Sequence, residues 1–177
     1  MKAPPSPALL SVVAEVETHL AEAGWDQPPQ LFALVDTEQL LQAEPQLAQT
    51  LGLVAPRPGA LTPIAQDPLT DAPLDEQLAS MVFGPEVLGV ILAHEVLVLP
   101  PSAEAALATE DVQAAVAHPD RREVRMVVGV MRDGSRESVL RLRTNGGDAD
   151  EEGDELLAGG DLAPHLADAL LSTLDET

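Results

Sequence analysis

Arginine has the most uneven distribution of any reactive residue in this sequence. Seven of the nine Lys and Arg residues fall between Arg121 and Arg143, in a chain of 177 residues with a formal net charge of −21. Guanidinium groups form paired, charge-assisted hydrogen bonds with carboxylates and phosphates. The segment REVRMVVGVMRDGSRESVLRLR (122–143) is therefore the first candidate for a binding function.

Two β-like runs in this segment flank Asp133-Gly134, a dipeptide typical of hairpin turns. A two-residue loop would place Met126 opposite Arg141, whereas the three-residue loop 132–134 places it opposite Leu140. A slip of one residue turns every side chain to the other face of the sheet. Burial of apolar side chains therefore favours the three-residue loop.

In that register the other face of the hairpin sets Arg125 opposite Arg141 and Glu123 opposite Arg143. Like charges directly opposed on a sheet repel each other, so we expect an anion near Arg125 and Arg141. The anion could be internal, supplied by the acidic loop 146–155 or by acidic helices that cover the sheet, which is the commoner arrangement. It could instead belong to a bound ligand or to an acidic partner surface.

His94 and Glu95 are the second pair of residues that could take part in a reaction. Either could act as a general base near a bound anion. They match the first half of the zinc-protease pattern HExxH, but Val98 occupies the position of the second His and the segment reads as a strand. His118-Pro119-Asp120 matches a J-domain tripeptide, yet the preceding helix lacks cations, so it predicts a helix end. Phosphate-binding and nucleophile-elbow motifs are absent from the sequence, and we predict no catalytic residue, no metal and no cofactor.

The composition narrows the classes of partner. Thirty acidic residues against nine basic ones repel phosphate backbones and anionic lipids, so we expect neither nucleic-acid binding nor membrane binding. The chain has no cysteine, which excludes disulfides and thiolate chemistry and suits a reducing compartment. Its first residues do not resemble a signal peptide. These features predict a cytoplasmic protein.

The elements that must position these residues predict one α+β domain over 1–177 with a largely antiparallel sheet, in the order α-β-α-α-β-α-β-β-α. Helix starts are indicated by capping residues, strands by short apolar runs. The predicted helix starts are Ser6-Pro7, Asp36, Leu74, Ser102 and Asp161, and the predicted strands are 31–35, 87–99 and the two arms of the hairpin. Two segments read as connections: the Pro-rich stretch 55–73, a surface connection or lid, and the acidic loop 146–155.

Five segments carry a resemblance to a known family. They are WDQPPQLFALVDT (25–37), LAHEVLVLPPSAEAA (92–106), AHPDRREVRMVVGVMRDG (117–134), VLRLR (139–143) and GGDLAPHLADALLSTL (159–174). In this order they resemble a family of acidic actinobacterial proteins of unknown function. The family has no assigned activity, so the resemblance implies no catalytic or binding residue.

Two functional hypotheses follow. The first is a non-enzymatic interaction protein, a homodimer or a subunit of a cytoplasmic complex, that uses the arginine-bearing sheet face. The second is a small-molecule site, anion-binding or hydrolytic, over the same face. In the second, Arg125, Arg141 and Arg143 would hold the anion, His94 or Glu95 would act as general base, and 55–73 would form a lid.

Overall fold

A computed structural model of the chain describes residues 6–50, 52, 59–98, 122–143, 155–159 and 162–175. Helices pack on a six-stranded antiparallel sheet, and this confirms the predicted α+β class. The described helices are α1 (Pro7–Ala23), α2 (Thr37–Ala43), α3 (Pro45–Thr50), α4 (Leu74–Ala79) and α5 (Pro164–Ser172). The strands are β1 (Gln30–Asp36), β2 (Leu61–Ala65), β3 (Gly89–Val98), β4 (Arg122–Met131), β5 (Arg136–Leu142) and β6 (Glu155–Gly159).

Capping residues set the ends of the N-terminal helices as the sequence predicts. The Ser6 side chain accepts a hydrogen bond from the backbone N–H of Leu9, and Pro7 occupies the first helical position of α1. Gly24, with φ +90°, follows the last residue of that helix. Asp36 caps α2 by accepting from the N–H of Gln39, and α3 begins at Pro45, directly after the C-cap residue Glu44 of α2.

The strands lie in the order β2-β1-β3-β4-β5-β6, and every neighbouring pair is antiparallel. The β4–β5 hairpin has the predicted three-residue loop, because Met126 pairs with Leu140. Gly134 has φ +90°, the left-handed conformation that this turn requires. Arg125 therefore lies directly opposite Arg141, as the sequence predicts.

Each face of the sheet carries its own core. On one face, α1 packs against the odd-numbered residues of β4, and a side chain at Gly129 would come within 2.6 Å of Val13, so the glycine lets the helix approach closely. On the other face, α5 packs against even-numbered residues such as Val128 and Val130. We call these two surfaces the α1 face and the α5 face.

Two strands lie where the sequence predicted only connections. β2 falls inside the Pro-rich stretch 55–73, and its Pro63 is tolerated because β2 is an edge strand that pairs on one side only. β6 begins at Glu155, the last residue of the predicted acidic loop. The predicted helix after Ser102, the tripeptide His118-Pro119-Asp120 and residues 146–154 lie outside the described residues.

The C-terminal helix starts later than predicted, at Pro164 with Ala163 as its N-cap, rather than at Asp161. Its far end is held by Arg132 in the hairpin loop, whose guanidinium donates to backbone carbonyl groups. The acceptors are the carbonyl oxygens of Phe83, Gly84, Val87 and Leu174. A cation at the C-terminal end of a helix satisfies carbonyl groups that have no partner inside the helix.

Candidate functional site

Glu17 lies between the two opposed arginines. This α1 residue is 1% exposed. Arg141 donates to both Glu17 carboxylate oxygens, and the Nη2 contact measures 2.8 Å. Arg125 Nη1 lies 3.9 Å from Glu17 Oε1. A helix carboxylate thus supplies the anion that we expected near Arg125 and Arg141.

Glu95 supplies a second carboxylate from β3. Its Oε1 accepts from Arg125 Nη2 at 3.1 Å, and its Oε2 accepts from the backbone N–H of Gln27 at 3.1 Å. We refer to Glu17, Glu95, Arg125 and Arg141 as the buried ion cluster. Two carboxylates balance two guanidinium groups, which is the condition under which charges persist in a protein interior.

The turn after α1 closes over the cluster. Arg125 donates to the carbonyl oxygen of Gly24, and Gln27 Nε2 donates to the carbonyls of Gly24 and Leu20 at 2.7 and 3.0 Å. Asp26 adopts a positive φ of 65° within this turn. The end of α1 is therefore tied to the sheet by the same arginine that Glu17 neutralises.

Trp25, the single tryptophan, lies between two guanidinium groups. The Arg125 guanidinium carbon is 4.7 Å from the ring centroid and that of Arg143 is 5.5 Å away, both within cation–π range. The Arg143 side chain is 37% exposed and bonds to Glu123, and this hydrogen bond raises the pKa of Arg143. Arg143 and Trp25 form the solvent-facing rim of the site.

The side chains of His94 and Glu95 lie on opposite faces of the sheet. His94 pairs with Met126, whose side chain packs on the α5 face, whereas Glu95 and Arg125 point to the α1 face. Burial lowers the pKa of His94, and the nearby Glu95 charge opposes that effect. His94 Nδ1 is buried and has no hydrogen-bond partner among the described residues.

The space at the site is small. β1 begins at Gln30, opposite Ala93, and the cavity at that point touches His94, Glu95 and Arg125 together. Its volume is about 10 Å³, which holds about one water molecule. In the described part of the chain no three His, Cys, Asp or Glu side chains are grouped to hold a metal ion. None of the described helices is long and apolar enough to span a bilayer.

The sequence identified Arg125, Arg141, Arg143 and Glu95 but not Glu17 or Trp25. A signal for Glu17 was present, because it lies four residues after Val13 and three before Leu20, within the apolar stripe of α1. A carboxylate inside such a stripe is buried only if a cation reaches it. Trp25 follows Gly24 directly, at the point where a helix end meets the sheet.

Fold and site together define a small α+β sheet protein whose most polar interior feature is a neutralised ion cluster. The chain belongs to the family described as PPA1309-like protein, which it matches over residues 9–175. This agrees with the predicted resemblance to a family without assigned function. Neither a curated protein nor a solved structure matches this chain.

Proposed function

We propose that this protein is a non-enzymatic cytoplasmic interaction protein, and that it forms a homodimer through the open edge of β6 and the arginine-bearing face of β5 beside it. β6 is the last described strand of the sheet and carries leucines whose exposure is unusual for large apolar residues. Leu156 is 51% exposed and Leu157 is 43% exposed. An uncharged, apolar strand edge is a template for pairing with another chain.

The two leucines cover both sides of that edge. Leu156 pairs with Arg141 and so lies on the α1 face, whereas Leu157 pairs with Leu140 on the α5 face. An added strand would bury both of them. The opposite edge of the sheet differs, because β2 contains Pro63, which has no N–H to donate.

Charge limits where a second copy can bind. Two chains of net charge −21 repel each other, so they meet most easily where negative charge is sparse. Every described Lys or Arg lies in the β4–β5 hairpin, and residues 156–159 carry no charge. Within the described residues, the β5–β6 corner therefore brings the cations of β5 beside a stretch of β6 that is uncharged after Glu155.

A two-fold axis through Leu157 would pair the β6 edges of both copies with each other. It would pair Leu157 with its own copy and Leu156 with Ala158 in an antiparallel ladder, and would join the two sheets into one. Within this proposal Arg141 and Arg143 border the contact, while Arg125 and Glu95 hold that face in position.

The experiment is size-exclusion chromatography with light scattering across a range of protein concentrations. We expect a species of twice 18.6 kDa for the natural chain and 18.6 kDa for Leu156→Lys, because a lysine on the strand edge must be desolvated in the dimer. Val82→Lys is the matched control: it introduces the same charge at a residue that is 63% exposed and far from β6 in sequence, and it should stay dimeric.

A monomeric natural chain at all concentrations, or a dimeric Leu156→Lys, would refute the proposal. The alternative is an anion-binding or hydrolytic site formed by the predicted arginines with His94 and Glu95. It requires the 10 Å³ cavity to widen, and Glu95 rather than His94 would be its general base, because the His94 side chain lies on the α5 face. Native mass spectrometry at low salt separates the two functions. Adducts of metabolite mass that disappear in Arg143→Glu would support the alternative, whereas clean dimers would support the interaction function.

A further inference from the structure

An apolar groove runs along the exposed flank of α1, away from the buried ion cluster. It consists of two cavities, of about 380 and 420 Å³, that meet at Glu15. The first is lined by Ala8, Ser11, Val12, Glu15 and 59–61, and the second by Glu15, Val16, His19, Phe32, Leu47 and 63–65. We call this surface the α1 groove.

The walls of the second cavity are mostly apolar, and those of the first are of mixed character. Phe32 forms part of the lining from β1, Pro63 contributes from β2, and Leu47 of α3 is 40% exposed beside them. Contiguous apolar surface of this kind, with a few polar groups at its rim, is typical of a site that binds a partner.

Among the described residues, the groove has an acidic side chain at its centre. Glu15 lies at the junction of the two cavities and is the one carboxylate among the residues that line them. The described residues of 6–50 and 59–98 include no Lys or Arg. A complementary partner therefore brings aliphatic side chains and a cation.

The length of the groove limits the size of the partner segment. Ala8 and His19 are eleven residues apart on α1, or about 16 Å at the helical rise of 1.5 Å per residue. We infer that the α1 groove receives a short, basic, amphipathic segment of another protein, with aliphatic side chains against Phe32 and Leu47 and a Lys or Arg at Glu15. Such helix-in-groove contacts are a common mode of peptide recognition.

The inference goes beyond the homodimer and does not depend on it. β6 lies at the opposite edge of the sheet from β2, so each surface can be changed without the other. Glu15→Lys should remain dimeric, and Leu156→Lys should retain its affinity for the basic segment. Failure of one proposal is thereby distinguished from failure of the other.

The test uses fluorescence anisotropy with the full chain and a labelled peptide of leucine and lysine, patterned as an amphipathic helix of about eleven residues. Measurements at about 0.15 M salt suppress long-range attraction to the acidic protein. We expect Glu15→Lys to weaken binding about tenfold or more, through loss of one close charge pair and gain of a repulsive one. A peptide with glutamate in place of lysine should not bind.

Glu22→Lys is the matched control, because it makes the same charge change at an exposed residue of α1 outside the groove lining. It should weaken binding by less than about threefold. A second pair compares Leu47→Lys, expected to weaken binding, with Val82→Lys, expected not to. Equal weakening by Glu15→Lys and Glu22→Lys would show general attraction to an acidic surface and would overturn the inference, as would no binding of the lysine peptide.

Discussion

Across the sheet, α1 and α5 pack against opposite sides of β4 by different means. The α5 face is an aliphatic core in which Leu92, Val128 and Leu170 are fully buried. The α1 face has an aliphatic core as well, but it extends into the buried ion cluster around Arg125. α5 is held mainly by apolar contacts and by one ion pair with an exposed carboxylate, Arg136–Asp168, whereas α1 is also held by buried charges.

The two faces also treat arginine differently. Arg132 holds the end of α5 through backbone carbonyl groups and stays exposed, so its charge remains hydrated. Arg125 is 2% exposed and depends on Glu17 and Glu95 for its neutralisation. A buried charge is tolerated only while its partners are present. The α1 face should therefore lose more stability than the α5 face when one charged residue is replaced.

Loss of Glu17 should have the largest effect. Glu17→Leu leaves Arg125 and Arg141 buried or half-buried without their shared carboxylate, and breaking a buried pair in this way costs about 3–5 kcal/mol of unfolding free energy. Urea denaturation measures the change. Glu15→Leu, the same substitution at an exposed position of the same helix, should stay within about 0.5 kcal/mol of the natural chain.

The comparison is sharpened by removing the whole charge set. Glu17→Leu combined with Glu95→Gln, Arg125→Met and Arg141→Leu should be more stable than Glu17→Leu alone, because uncharged residues of similar volume often replace a buried ion set without loss. If Glu17→Leu alone cost less than about 1 kcal/mol, the α1 face would not depend on its charges, and the contrast between the faces would fail.

An apolar deletion on the α5 face should have the next largest effect. Leu170 is fully buried, and Leu170→Ala should lower the unfolding free energy by about 3 kcal/mol through lost transfer energy and the cavity left behind. Leu47→Ala, at a residue that is 40% exposed, is the control and should change it little. A loss for Leu170→Ala that vanished in high salt would contradict the mainly apolar character of this face.

The smallest expected effect concerns His94 on the α5 face. Because burial lowers its pKa below the usual 6.5, the unfolded chain takes up this proton first as pH falls. The stability that neutral His94 contributes is complete above about pH 6.5 and is lost as pH falls through that value towards the folded-state pKa. Acidification should therefore lower the thermal stability of the natural chain more than that of His94→Gln. Parallel losses would remove His94 as a cause.

Local patterns predicted the parts of the fold that depend on neighbouring residues. The hairpin register followed from placing Met126 opposite Leu140, and the start of α1 followed from Ser6 and Pro7. Both depend on interactions within a few residues or on strict alternation across a two-strand ladder. The opposition of Arg125 and Arg141, and their need for an anion, followed in the same way.

The sequence did not predict features that depend on distant partners. β2 was missed because Pro63 is unfavourable in a strand unless the strand lies at an edge, and edge position is a property of the whole sheet. Glu17 was missed as the partner of the arginines because nothing local selects which of the acidic helices covers the hairpin. His94 and Glu95 are neighbours in sequence, yet alternation sends their side chains to opposite faces.

The spacing of the ion cluster along the chain has a consequence for biosynthesis. Glu17 and Arg141 are 124 positions apart, and Gly24 and Arg125 are 101 apart. At typical translation rates α1 is made roughly 6–25 s before the last of its cationic partners. Such distant contacts slow folding. During that interval the nascent helix carries Glu17 on its apolar side without its arginine partners, and the contacts of Glu17 form only after the basic hairpin has been synthesised.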